Sequence, residues 1–238
     1  MARPSLEGAL AAPDTKRRYV RRLFATIADR YDFITRFLSF GRDRGWKRRL
    51  IEESGLASGA RVLDLACGTG DLAYEAASRG AAVVGLDITP RMIEIARSKQ
   101  PPTNVTWTVG DMTSLPVRSG TFDVVTTGYG LRNVPDLPRA LGEIYRVLRP
   151  GGRLCSLDFD RPESAWLRGI YLAYLTVVGS ALGWVLHRDP DTYRYIPASI
   201  RRYPGARGVM ALMLESGFSE VRHLRVLGGF MAIHVARK

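Results

Sequence analysis

With 238 residues, 46% of them apolar and 24% charged, the chain has the composition of a globular protein that buries one core, with room for a small appendage. Cys67 and Cys155 fall in different predicted elements and in no CxxC, which argues against a disulfide framework or a zinc site and fits a reducing cytosol. The formal net charge of +12 favours an anionic partner, either nucleic acid or an anionic membrane, with solubility accounting for part of the excess.

Residues 1–14 read as frayed, without the basic stretch and long apolar run of a signal peptide. Residues 16–54 read as a helical cap, with Val20, Leu23, Phe24 and Ile27 at helical spacing. Basic side chains crowd this cap, and those of Arg17, Arg18, Arg21 and Arg22 are expected to attract anionic lipid.

The period then changes. Strands are predicted over 61–66, 81–87, 104–109, 122–127 and 153–159. Between them, a helix follows Asp71, a second starts at Pro90 behind Thr89 as N-cap, and a third spans 137–148 behind Asp136, stopped by Pro150-Gly151-Gly152. Such alternation predicts an α/β, doubly wound, mostly parallel sheet with helices on both faces. Two further strands, 221–227 and 230–236, flank Gly228-Gly229 as a closing antiparallel hairpin and bring the sheet to seven strands. The reading is one domain over 15–238, with a substrate-covering insertion over 160–204.

Residues 169–186 carry no charge and reach the minimum length of a membrane span. Spanning would strand the last two strands on the opposite side from the first five. A cap helix that offers apolar surface to a substrate, or buried core, is the expectation instead.

The first chemical signal is the loop Asp64-Leu65-Ala66-Cys67-Gly68-Thr69-Gly70 after the first strand, where glycines allow close approach of a ligand. The run from Gly68 to Ala73 also satisfies the dinucleotide fingerprint G-x-G-x-x-[GA], so a nicotinamide enzyme is a rival and a tight structural turn a third reading. Charge separates them: Asp64 and Asp71 would repel a pyrophosphate, whereas S-adenosylmethionine carries a cationic sulfonium and amino group. Asp87, ending the second strand, suits ribose hydroxyls. Asp111 and Met112, after the third, suit an adenine amino group and ring face. Ligands of such sheets bind beyond the carboxyl ends of the strands, so three acids there would face one crevice.

These segments, with Tyr31-Asp32, Leu38-Ser39-Phe40-Gly41, Trp46-Lys47-Arg48, the run 129–134 (YGLRNV), 145–154 (YRVLRPGGRL), 191–195 (DTYRY) and Ser199-Ile200-Arg201, resemble the ubiquinone/menaquinone biosynthesis C-methyltransferases, the UbiE and Coq5 family. The glycine loop and RPGG are common to many methyltransferases; YGLRNV and DTYRY are more particular to this family. The resemblance implies a Rossmann-like class I methyltransferase that uses S-adenosylmethionine to methylate a ring carbon of a polyprenylated quinol. It places cofactor contacts on Thr69, Asp87, Asp111, Met112 and Gly128, beside Asp64, Gly68 and Gly70 of the loop. Cys67 stands where many relatives have Gly, and Gly128 where many have Ser. It further implies cytoplasmic residence against the inner face of an anionic membrane.

Quinol carbon becomes nucleophilic as its neighbouring hydroxyl loses a proton, so the ring must be oriented and the developing phenolate stabilised. The expected roles are Arg132 on the phenolate or an ordered water, Asn133 on a ring hydroxyl, Tyr31 at the reacting centre, and Tyr129, Tyr193, Tyr195 and Arg201 around the substrate. The competing reading pairs Arg132 with Asp158 or Asp160 as structure, and packs each tyrosine as core. His187, beside Arg188, reads as incidental. No metal and no nucleic acid are expected, and a homodimer is compatible. A methyltransferase for a small phenol, a nucleic-acid methyltransferase and a non-catalytic cofactor-binding partner are the alternatives; the second lacks a base-flipping signature near the fourth strand.

Overall fold

The computed structural model describes residues 6–99, 104–162 and 164–238. Seven strands form one sheet in the order β3-β2-β1-β4-β5-β7-β6. They are β1 (Arg61–Leu65), β2 (Ala82–Asp87), β3 (Val105–Val109), β4 (Phe122–Gly128), β5 (Leu148–Phe159), β6 (Ser219–Val226) and β7 (Met231–Arg237). The first five run parallel; β7 pairs antiparallel with both β5 and β6. This is the expected doubly wound sheet with a closing hairpin. β5 starts earlier than the sequence suggests, at Leu148 opposite Phe122, with an irregular register before Val124.

The helices are α1 (Leu6–Ala9), α2 (Pro13–Ile27), α3 (Tyr31–Leu38), α4 (Asp43–Glu53), α5 (Asp71–Ser78), α6 (Pro90–Ser98), α7 (Leu137–Val147), α8 (Ala165–His187), α9 (Tyr195–Arg202) and α10 (Gly205–Glu215). One apolar cluster packs Leu50, Ile51, Leu72, Ala76 and Ile93 on one face of the sheet. A second packs Leu141, Ile144, Val209 and Met213 on the other. Asp136 caps α7 as expected, accepting from the Arg139 N–H at 3.0 Å. Thr89 holds the N-cap position of α6 without a capping side-chain bond.

The expected N-terminal helical cap is three helices, divided by a single 3₁₀ turn at Ala28–Arg30 and by the bend at Phe40 and Gly41, both with positive φ. The segment read as frayed holds a helical turn from Leu6 and enters α2 at Pro13; residues 1–5 lie outside those described.

His234 on β7 is buried, with Nε2 3.1 Å from the Ala206 carbonyl and Nδ1 3.4 Å from Ser156 Oγ. The carbonyl can only accept, so Nε2 bears the proton and Nδ1 accepts from the hydroxyl, a neutral ring. Burial lowers its pKa to about 4. The unfolded imidazole therefore takes a proton near its ordinary value while the folded one refuses it, and this contribution to stability is lost as pH falls from 6.5 toward 4. Chemical denaturation should show wild type losing about 1 kcal/mol more stability than His234→Gln between about pH 7.5 and about pH 5.5. Parallel losses in the two proteins would contradict the assignment.

Candidate active site

The strand order reverses between β1 and β4, so their carboxyl ends open a crevice that no crossover helix covers. Two strained backbone positions lie there. Ala66 and Tyr129, neither of them glycine, take φ of +51° and +60° in the loops that follow β1 and β4. Gly70 has φ +94°, and a Cβ there would come within 2.5 Å of the Trp107 ring, so the loop requires glycine on both counts.

Asp64 sits on β1 at this crevice and is buried. Its Oδ1 accepts from Thr126 Oγ1 at 2.8 Å, while Oδ2 is buried without a partner. Burial pushes the carboxyl up to about 7, against the pull of Thr126 and Lys47. A small cavity lined by Asp64, Gly68, Thr69, Asp71 and Lys47 lies beside it.

Asp87 closes β2 and accepts two backbone N–H groups, from Gly68 at 3.0 Å and Thr89 at 2.8 Å. Burial raises its pKa and these donors oppose the rise. With Asp111, Met112 and Gly128 it lines a cavity of about 680 Å³. Asp111 Oδ1 accepts from the Thr113 N–H and Oγ1 at 2.8 and 2.7 Å, and its Oδ2 is 3.1 Å from Arg17 Nε. Arg17 is thus turned inward from α2 and lines the same cavity, contrary to the expectation that it faces lipid. Its neighbour Lys16 donates to the carbonyls of Arg132 at 3.2 Å and Val134 at 2.5 Å.

Sequence reasoning missed Lys47. Its ammonium is 2.6 Å from Asp43 and 2.8 Å from Asp71. Burial alone would lower its pKa, but the two carboxylates outweigh burial and hold it raised. The signal was the spacing of Asp43 and Lys47 by four residues, which in a basic helix reads as a solvated pair. Asp43 also accepts from the Tyr129 hydroxyl at 2.5 Å.

A second cavity, of about 820 Å³, lies behind α2, α3 and α8. Arg132, Phe159, Tyr193 and Tyr195 line it. Phe24, Tyr31 and Tyr129 line both this cavity and the one at Asp87. Arg132 is buried, with Nε 3.4 Å from Asp158 Oδ1 and its guanidinium 4.8 Å above the Phe159 ring. Its Nη1 donates to Ser199. The pairing expected of a structural arginine is present, with Asp158 and not Asp160, yet the guanidinium also reaches the cavity wall.

Asn133 departs from its expected place. Its amide nitrogen donates to the Tyr129 carbonyl at 2.6 Å and its oxygen accepts from the Tyr195 hydroxyl at 2.9 Å. It lines the Asp87 cavity and bridges the two tyrosines. His187 is not incidental: Nε2 lies 2.9 Å from the Tyr193 hydroxyl and fixes that ring in the wall. Arg201 is exposed and lines neither cavity; its carbonyl accepts from Arg161.

These residues fit S-adenosylmethionine. The orphaned Asp64 Oδ2 is an acceptor for its ammonium, and the third Lys47 proton a donor for its carboxylate. Asp87 can take the ribose hydroxyls, with Asp111 and Met112 at the adenine. A pyrophosphate brings no cation for Asp64 and would be repelled by Asp64 and Asp71, which disfavours the nicotinamide reading.

Because binding requires ionised Asp64, cofactor affinity should rise about fivefold between about pH 6 and about pH 7, a window in which the ligand's amino group stays cationic. Asp64→Asn should bind weakly with no such slope in calorimetry; an unchanged slope would remove Asp64 from the ammonium site. Asp87→Ala should weaken binding by about 2–3 kcal/mol through loss of a charged acceptor, and unchanged affinity would remove it from the ribose site.

The chain matches the family model described as the ubiE/COQ5 methyltransferase family over residues 12–238. It is 42% identical to a demethylmenaquinone methyltransferase of Thermus thermophilus, over 90% of this chain and 98% of the relative. It is 37% identical to a ubiquinone/menaquinone biosynthesis C-methyltransferase of a Geobacter species, over 92% and 96% of the two chains. Among solved structures, a SAM-dependent methyltransferase of Thermotoga maritima superposes with a TM-score of 0.67, covering 92% of this chain and 99% of that one at 22% identity, a likeness of fold. The three acids at successive strand ends and the match across nearly the whole chain lead to one assignment: the protein belongs to the ubiE/COQ5 methyltransferase family.

Proposed function

We propose that the chain transfers a methyl group from S-adenosylmethionine to a ring carbon of a polyprenylated quinol in menaquinone or ubiquinone biosynthesis, with a demethylated naphthoquinol as the favoured substrate. The names of the relatives from Thermus thermophilus and Geobacter support this reading. The observation that carries it is the pair of cavities, one rimmed by Asp87 and Asp111 and one largely apolar, that share Phe24, Tyr31 and Tyr129 as a common wall. A cofactor in the first and a greasy aromatic in the second would meet at those rings.

When bound, the cofactor supplies a methyl group on a cationic sulfonium. The chain's own residues then have three tasks. Phe24, Tyr31 and Tyr129 hold the ring against the cofactor cavity and exclude water. Arg132, already charged and fixed by Asp158, stabilises negative charge as it grows on the quinol oxygen, and it does not act as a base. Asn133 holds Tyr129 and Tyr195 in register. The enzyme works, in this reading, in the cytoplasm against the inner face of an anionic membrane, where its substrate's tail resides.

Mass spectrometry of quinones from a strain lacking the gene should show a demethylated naphthoquinone, cleared by the wild-type gene; unaltered quinones would overturn the substrate assignment. For the chemical step, Arg132→Ala should leave cofactor affinity nearly intact and slow single-turnover methylation about a hundredfold or more. That substitution strands Asp158, so melting temperature must be read on the same preparation, together with the double variant Arg132→Ala/Asp158→Asn, which removes the unpaired charge. A folded, cofactor-binding double variant with a near-normal single-turnover rate would leave Arg132 a structural residue.

A further inference from the structure

α8 carries no charged residue between Arg168 and His187 and has a mean hydropathy of 1.6 over its most apolar 18 residues, yet only 17% of that window is buried. Its fully buried residues form a narrow stripe, Leu175, Gly179 and Gly183, whose glycines admit Tyr193 and the Asp189-Pro190 backbone at close range, flanked by half-buried Tyr171, on the Phe230 ring, and Leu182 and Leu186. On the opposite side, Trp166, Ile170, Ala173, Val177, Ala181 and Trp184 are exposed. Their spacing of four, three, four, four and three residues makes one continuous helical face about 27 Å long. Trp166 is 72% exposed and Val177 69%. α3 and the bend after it extend this surface: Phe33, Phe37 and Phe40 are exposed, Phe33 stacks on Phe37, and Phe40 stacks on Tyr174 of α8 with ring centroids 5.9 Å apart. A contiguous apolar surface of this kind marks an interaction site.

Charge selects the occupant. No acidic side chain lies on α8, and Asp32 on α3 is engaged by Lys99 at 2.6 Å and by Thr69. Exposed Arg36 lines the groove between Phe37 and Tyr174. Arg30 donates to the Leu186 carbonyl at the far end of α8, and Arg188 lies 5.8 Å over the Trp184 ring. An apolar face edged by cations, with tryptophan at both ends, has the composition of a helix lying in an anionic lipid interface. It cannot cross the bilayer, because β5 before it and β6 and β7 after it belong to one sheet.

We propose that the joint face of α3 and α8 is the membrane-docking surface, inserted flat into an anionic leaflet. The same two helices wall the 820 Å³ cavity from inside, through Ile34 and Leu38 of α3 and Tyr171 and Leu175 of α8. A prenylated quinol therefore passes from the leaflet between α3 and α8 into the cavity without crossing water. The docking surface stands on its own observations; the passage of a quinol rests on the function proposed above.

The test uses the full chain and vesicles of equal parts phosphatidylglycerol and phosphatidylcholine. Ile170→Glu/Val177→Glu should bind at least about tenfold more weakly than wild type, with unchanged melting temperature. Its rate on a tail-less, water-soluble quinol should stay within about twofold, while its rate on a vesicle-borne prenylated quinol falls with binding. Brominated lipid should quench wild-type tryptophan fluorescence and not that of Trp166→Phe/Trp184→Phe. Arg18→Gln/Arg21→Gln/Arg22→Gln should lose less binding than the glutamate variant. Equal vesicle binding by wild type and the glutamate variant would overturn the proposal. So would a wild type that ignores vesicles but forms a dimer in solution that the glutamate pair dissociates, since the face would then be an interface between copies. Absence of methylation of either quinol, with the vesicle pattern intact, supports the surface and defeats the substrate reading instead.

Discussion

A parallel sheet that reverses its strand order must leave the carboxyl ends of two neighbouring strands uncovered, and here those strands are β1 and β4. Everything chemical in the molecule follows from that gap. Asp64 reaches it from inside β1, where burial both raises its pKa and leaves Oδ2 without a partner. A carboxylate in that condition costs stability unless something cationic completes it, and Lys47, whose charge acts on it, is already divided between Asp43 and Asp71. The site is therefore arranged around an unmet electrostatic demand. That demand also separates an ammonium-bearing cofactor from a pyrophosphate more sharply than the glycine loop can.

The helices ahead of β1 close the gap by ionic contacts at its two rims. Lys16 and Arg17, adjacent on α2, engage the carbonyls of Arg132 and Val134 on one side and Asp111 on the other. Desolvation, with Arg132 nearby, lowers the Lys16 pKa to about 8, so part of this contact is sensitive to mildly alkaline pH. Asp32 on α3 ties to Lys99 after α6 and accepts from Thr69 of the glycine loop. Three of these anchors, Asp111 and Val134 at the cofactor cavity and Thr69 at the small cavity beside Asp64, tie the cap to the site itself.

Sheet and site were legible to different depths. Strand–helix alternation and the acids at strand ends could be read directly, because period and position along a strand determine where a side chain points. Lys47 and Asp43 could not: a charge on a basic helix has the same pattern whether its face meets water or a buried cavity. Arg17 fails in the same way, one of four basic residues that look alike until α2 is docked. Arg201 shows the reverse, since membership of a motif does not say which group reaches a pocket, and Asn133 both lines one and holds its neighbours. For 169–186, composition could not say how much of the helix the protein covers, and only the fold shows that Leu175, Gly179 and Gly183 are its fully buried residues.

The tyrosines join these scales. Tyr129 has a left-handed backbone at the end of β4, its hydroxyl held by Asp43 and its carbonyl by Asn133. Asn133 in turn holds Tyr195, whose ring packs tilted against Tyr19 of α2 with centroids 5.6 Å apart and lies 5.9 Å from the Arg132 guanidinium. A shift of α2 would therefore be felt first at Tyr195 and then, through one amide, at the wall between the two cavities. Its N–H donates to the Leu157 carbonyl of β5 at 2.7 Å, so three separate elements hold the strained Tyr129 in place. A residue on the wall between the acidic cavity and the apolar one is thus also held at its hydroxyl, its carbonyl and its N–H, which is what in-line transfer between two bound partners demands of the boundary between them.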